Sequence, residues 1–212
     1  MRSPTSTDSK PPLRYLALGD SYTIGTGASD LAHSWPSIIA LRLAHSTGRG
    51  VELFNPAING FTTVDLIVRE LRYLERFQPD LVTILIGVND LVQGRTIEQY
   101  EASLQRIYKS VAALQLPAGR SVGISIPNWS IVPAARDFGD PNRLRKLTDA
   151  FNEVARNLAT RRGFMWIDLT EVSTSDSGPG WIADDRLHPG DGQYAAWAEV
   201  IWQGVRDAWR KA

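Results

Sequence analysis

From Leu13 onward the 212-residue chain alternates between two patterns of apolar and polar positions. Short runs rich in branched and aromatic residues stand at 14–18, 51–54, 80–86, 121–126 and 164–168. Runs of this length with little alternation predict strands buried on both faces. Between them lie stretches of helical period. The first, from Trp35 to His45, is less regular but holds no breaker after Pro36, which suits a first helical turn. Val64, Ile67, Leu71 and Leu74 fall on one face of the second, and Tyr100, Leu104, Ile107, Val111 and Leu114 on one face of the third. The fourth offers Leu144, Leu147, Phe151, Ala155 and Leu158, and the last Tyr194, Trp197, Ile201, Val205 and Trp209. Aromatic stripes at this spacing read as core.

Strands alternating with helices predict an α/β fold, a five-stranded parallel sheet covered on both faces by right-handed crossovers. Residues 1–12, rich in Ser, Thr and Pro, read as a disordered tail, and 13–212 as a single domain with no internal repeat. Such sheets bind ligands beyond the carboxyl ends of their strands. Two connections are longer than usual: 128–140, carrying Trp129 and Phe138, and 170–187, carrying Trp181. They read as rim loops that shape a site, which makes Trp129, Phe138 and Trp181 candidates for the substrate pocket, together with Tyr22 in the turn after the first strand.

Composition narrows the chemistry. Lys plus Arg and Asp plus Glu both total 23, without a basic cluster, which argues against nucleic acid or an anionic membrane as the main partner. The absence of cysteine excludes disulfides, thiolate catalysis and Cys-based metal sites. It also favours a cytoplasmic location, as does an N-terminus without the apolar stretch of a signal peptide. The apolar runs are too short to span a bilayer. The three histidines show no ligand spacing, so neither metal nor cofactor is expected. His45 reads as structural, near a helix C-terminus. His33 follows the first glycine-rich turn, within possible reach of substrate.

The first strand runs into Gly19-Asp20-Ser21-Tyr22-Thr23-Ile24-Gly25, placing a serine at the carboxyl edge of the sheet. This turn has neither the Gly-Lys-Ser/Thr ending of a phosphate loop nor the glycine spacing of a dinucleotide fold. Near the other end stands Asp184-Asp185-Arg186-Leu187-His188-Pro189. Acyl transfer by serine needs a base for the hydroxyl proton and a carboxylate to orient the imidazole. Asp185, three residues before His188, suits that pairing. The third strand leads into Gly87-Val88-Asn89-Asp90, where the Asn89 amide can face a developing oxyanion. Gly60, after the second strand, allows close backbone approach. Each residue alone reads equally as a cap or turn residue; the set falls on the edge loops after the first, second, third and fifth strands.

These blocks, Ser, Gly, Asn and His in that order, resemble the SGNH (GDSL-type) hydrolase family over 13 to about 210. The resemblance implies a three-layer, flavodoxin-like α/β/α sandwich. It implies Ser21 as nucleophile, His188 as base and Asp185 as its orienting partner, with an oxyanion hole from the Ser21 and Gly60 N–H groups and the Asn89 side chain. It implies a serine esterase acting on small-molecule acyl esters, short-chain by our reading, or on thioesters. Tyr22 and Arg186 depart from the family's commonest Leu and Gly and bear on substrate choice. The α/β-hydrolase elbow is not matched, since Gly123-Ile124-Ser125-Ile126-Pro127 lacks its last glycine, and Ser125 reads as mid-strand. An acyltransferase with the same triad and a non-catalytic flavodoxin-like binding module are the rival readings.

Overall fold

The computed structural model describes residues 10–175 and 178–212. Residues 1–9, most of the expected tail, and 176–177 lie outside the described residues. Five strands, β1 (Leu13–Gly19), β2 (Val51–Phe54), β3 (Leu81–Leu85), β4 (Ser121–Ile124) and β5 (Met165–Ile167), form one sheet in the order β2-β1-β3-β4-β5. Every neighbouring pair is parallel, with Tyr15 opposite Leu81 and Gly19 opposite Leu85 at the centre. The helices are α1 (Ser21–Ile24), α2 (Trp35–Thr47), α3 (Thr63–Arg69), α4 (Arg72–Phe77), α5 (Val88–Val92), α6 (Ile97–Ala112), α7 (Pro141–Arg161), α8 (Thr170–Thr174) and α9 (Asp191–Trp209). α2 packs on α9, while α3, α6 and α7 pack together along the sheet. The result is a three-layer α/β/α sandwich.

All residues of β3 are buried, as are Tyr15, Leu16, Ala17 and Leu18 of β1, as expected of central parallel strands. The α9 stripe is wholly buried, and its tryptophans are tied to their surroundings. Trp209 Nε1 donates to Gly119 O at 2.8 Å, and its ring meets Tyr15 edge-on with centroids 5.1 Å apart.

Two predicted elements differ from what is observed. The 121–126 run keeps one more ladder bond, Ser125 N to Ile167 O at 2.9 Å, and then leaves the sheet because the Ile126 backbone is taken by a side chain rather than a strand. Asn152 of α7 accepts from Ile126 N at 2.8 Å and donates to Ile126 O at 2.9 Å. Ser125 ends the strand region; its Oγ accepts from Leu169 N at 2.8 Å and fixes the exit of β5. The second helical stretch is broken into α3 and α4, and Val64, expected inside, is exposed. The buried stripe is Leu66, Glu70 and Leu74 instead. The Thr62–Asp65 capping box sets where α3 begins, and the chain turns at Glu70 so that its carboxylate points inward.

Candidate active site

β1 ends at Gly19, whose missing side chain is required. A Cβ there would lie 2.3 Å from Leu85 O and 2.1 Å from Thr23 Oγ1. The chain turns at once into α1, with Asp20 as N-cap accepting from Tyr22 N at 3.1 Å. Ser21 is the first helical residue and nearly buried, at 6% exposure. Its Oγ has no partner among the described residues, and neither has its N–H. Helix starts leave such donors free.

Three carboxyls underlie this turn. Glu70, fully buried, accepts from Gly19 N at 3.0 Å through Oε2, while Oε1 has no partner. Asp20 is also fully buried; desolvation, aided by the charge of Asp90, pushes its carboxyl up to about 7. Burial, with Asp20 close by, raises Glu70 well above the carboxylate range. Burial raises Asp90 too, though it accepts from Thr63 N at 2.8 Å and Thr63 Oγ1 at 2.5 Å and pairs with Arg95 at 3.1 Å.

Gly87, at φ +132, starts the turn after β3; a Cβ there would meet the Tyr100 ring at 2.7 Å. This turn aims Asn89 back across the sheet edge. Its Nδ2 donates to Phe61 O at 3.0 Å and reaches Asp20 Oδ2 at 3.5 Å. Gly60 sits at φ +81 with open space where a Cβ would be, and its N–H has no partner among the described residues. Asn59 accepts from Thr26 Oγ1, joining this loop to the one after Ser21.

On the opposite side, Asp185 closes a tight turn on His188. Its Oδ1 accepts from Leu187 N and His188 N, both at 2.9 Å, and its Oδ2 lies 2.6 Å from His188 Nδ1. Partial desolvation pushes the Asp185 carboxyl up, but these N–H groups and the imidazole outweigh it and hold it below the usual range. The His188 ring packs edge-on to Tyr22, centroids 6.1 Å apart, beside Ser21 in the chain. Gly27 brings the backbones together: a Cβ on it would lie 2.6 Å from Pro189 O and 3.1 Å from His188 Cβ. Ser29 then bonds Asp191 at the start of α9, through N at 2.8 Å and Oγ at 2.6 Å, and Tyr194 Oη donates to Thr26 O at 2.7 Å.

The structure thus brings Asp185 and His188 into contact and sets them against the Ser21 turn, whereas the Ser21 Oγ–His188 Nε2 hydrogen bond is not made. Asp184 is exposed and points to none of these groups. Of the pocket candidates, Tyr22 and Trp129 wall a small void of ≈ 10 Å³ beside Leu187 and Trp197. Trp129 is no rim residue: it is 2% exposed and donates to Thr148 Oγ1 at 3.2 Å, because the 3₁₀ turn Trp129–Ile131 packs against α7. Phe138 covers Trp129 edge-on and is 44% exposed, while Trp181 is half-buried before the Ile182–Pro189 bridge. His33 is held by Asp30 at 2.9 Å and Ser29 at 3.1 Å, and His45 lies in the last turn of α2. Sequence reasoning missed Glu70, although a carboxylate four residues after Leu66 and four before Leu74 on one helical stripe is a usable signal.

A model of the GDSL-like lipase/acylhydrolase family matches residues 17–196. The chain belongs to that family. It is, with its family, a carboxylic ester hydrolase. An arylesterase of Vibrio mimicus is 28% identical over 187 residues, 87% of this chain and 84% of that one. The thioesterase 1/protease 1/lysophospholipase L1 of Escherichia coli K12 is 26% identical over 176 residues, 82% and 74% of the two chains. The crystal structure of TesA superposes with a TM-score of 0.74 at 21% identity, covering 92% of this chain and 98% of that one. An acetylxylan esterase from Geobacillus stearothermophilus gives 0.73 at 20%, covering 94% and 96%. These likenesses identify the sandwich as the SGNH hydrolase fold. Among the described residues no helix is long and apolar enough to cross a membrane, and no group of three or more His, Cys, Asp or Glu is placed to hold a metal ion.

Proposed function

We propose that Ser21, His188 and Asp185 form a catalytic triad that hydrolyses short-chain carboxylic esters. The observation that carries this reading is the 2.6 Å contact of His188 Nδ1 with Asp185 Oδ2, made by a ring packed against the residue after Ser21. Asp185 holds the Nδ1–H tautomer, which leaves Nε2 as the acceptor for the Ser21 proton. Ser21 Oγ adds to the ester carbonyl and His188 takes its proton. The imidazolium returns that proton to the departing alkoxide, leaving an acyl-serine. Water, deprotonated by the same imidazole, then releases the acid and restores Ser21.

The oxygen of each tetrahedral intermediate has three candidate donors: the unpartnered N–H groups of Ser21 and Gly60, and Asn89 Nδ2. One Asn89 hydrogen is anchored on Phe61 O; the other engages Asp20 only at 3.5 Å and is free to turn to an oxyanion. Asp20 lies behind it, and a carboxyl pushed up to about 7 offers that oxyanion less repulsion than a permanent carboxylate. The similarity to the Escherichia coli thioesterase makes thioesters a natural second substrate class.

The test is a panel of p-nitrophenyl esters and acyl thioesters of rising length, run on the wild type and on Ser21→Ala. Ser21→Ala is expected to fold normally and lose roughly 10⁴-fold or more in kcat. A fluorophosphonate is expected to label Ser21. Label elsewhere, or retained turnover in the variant, overturns the assignment.

A further inference from the structure

The loop that carries His188 also carries Arg186, at φ +64. A side chain in the left-handed region is strained relative to glycine. Arg186 is exposed and makes no ion pair or side-chain hydrogen bond among the described residues, so no contact of its own side chain compensates. Its backbone O accepts from Ala134 N at 3.1 Å, which ties this loop to the 3₁₀ turn Pro133–Asp137 and to Arg136. Arg136 is likewise exposed and unpaired among the described residues. The two face a cleft of ≈ 760 Å³ whose wall also includes Arg145, Asn128, Asn142 and Ile131.

Among the described residues no carboxylate lines this cleft. Arg145 is offset by Asp149, whose two oxygens both lie 2.9 Å from Nε. The nearby acids in the chain are Asp137, Asp140, Asp184 and Asp185. Of these, Asp140 caps α7 and Asp185 is committed to His188. A second cleft, of ≈ 690 Å³, sits on the other side of Arg145 and is lined by Arg156 together with Asp149, Glu153, Asp168 and Glu171. Its charges cancel. In a chain of zero formal charge, the first cleft thus differs in sign from the second: its arginines share it with no carboxylate of the described residues.

We infer that Arg136 and Arg186 bind an oxyanion group, carboxylate or phosphate, carried by the ester substrate. The inference rests on the triad reading only for placing the scissile bond near His188. Guanidinium groups suit this task because they bind such groups through paired N–H donors. The cleft also has the size of a small-molecule site. The enzyme so read prefers anionic esters to neutral ones.

The probes are 4-acetoxybenzoate, 4-acetoxyphenyl phosphate and the neutral methyl 4-acetoxybenzoate, compared by kcat/KM in wild type and in Arg136→Ala/Arg186→Gly. Glycine suits φ +64, so folding is not at risk at that position. The anionic-to-neutral ratio is expected to fall at least tenfold in the double variant, and Arg106→Gln, which removes a charge from α6, is expected to keep it. Loss for only one anion identifies which oxyanion the site takes. A ratio unchanged in the double variant, with both ester types hydrolysed, overturns the inference and leaves the hydrolase reading intact. Calorimetric binding of 4-acetoxybenzoate to Ser21→Ala, with and without the two arginines, separates the reverse case. Binding that weakens tenfold on their removal supports the site even if wild type cleaves none of the esters; arginine-independent binding overturns it.

Discussion

The nucleophile turn and the histidine loop serve one proposed reaction but are built differently. From Asp20 to Thr23 every residue is at most 6% exposed, and Gly19, Asp20 and Asn89 are cross-linked by hydrogen bonds from three separate elements. The segment bearing His188 is half-exposed and is closed by the single Ile182–Pro189 bridge and by the turn that Asp185 makes with its own neighbours. The difference locates rigidity where charge develops on the carbonyl oxygen, since a preorganised donor saves reorganisation during reaction.

Mutation can break this contrast from either side. The largest effect is expected on the loop: Asp185→Asn should lower kcat roughly 10⁴-fold by releasing the imidazole tautomer. Its melting temperature should stay within a few degrees of wild type, and Asp184→Asn should be nearly silent in both. Equal losses from the two variants would show that the turn, rather than the Nδ1 contact, matters. Asn89→Ala tests the rigid side. A lost oxyanion donor costs about 10²–10³ in kcat with little change in KM, whereas a simple turn residue would cost stability alone. Steady-state kinetics on the folded variant decides.

The third effect is smaller and concerns stability. A carboxyl raised from its ordinary 3.8 to about 7 in the folded state favours folding when protonated. That contribution is fully present below about pH 4 and is lost as pH rises through 7. Relative to Asp20→Asn, the wild type should lose on the order of 3 kcal/mol of unfolding free energy between pH 4.5 and 8, at about 1.4 kcal/mol per pH unit. Urea titrations at the two pH values measure it; a constant difference would mean that Asp20 ionises as it would in water.

The strands were legible because burial on both faces leaves uninterrupted apolar runs, and the α6, α7 and α9 stripes because each helix faces the sheet along its whole length. The break after α3 was not, since the pull of Gly19 N–H on Glu70 is a contact over 51 positions that local periodicity does not carry. Likewise the proximity of Asp185 and His188 could be anticipated from a three-residue spacing, but the clasp of Ser29 on Asp191 joins residues 162 positions apart. Trp129 misled for a related reason. A loop placed by length on the rim was drawn into the core by Thr148 and the packing of α7.

That clasp has a consequence for how the enzyme comes into being. The carboxyl cluster beneath the Ser21 turn, Glu70, Thr63, Asp90 and Arg95, is encoded before residue 96. The imidazole belongs to the last part of the chain, and the groups that seat its loop against Thr26 and Ser29 are the first residues of α9. During synthesis from the N-terminus, Ser21 and this cluster are therefore made long before the histidine proposed as its base. The final helix contains no member of the proposed triad, yet docking it against α2 brings the two halves of the proposed site together.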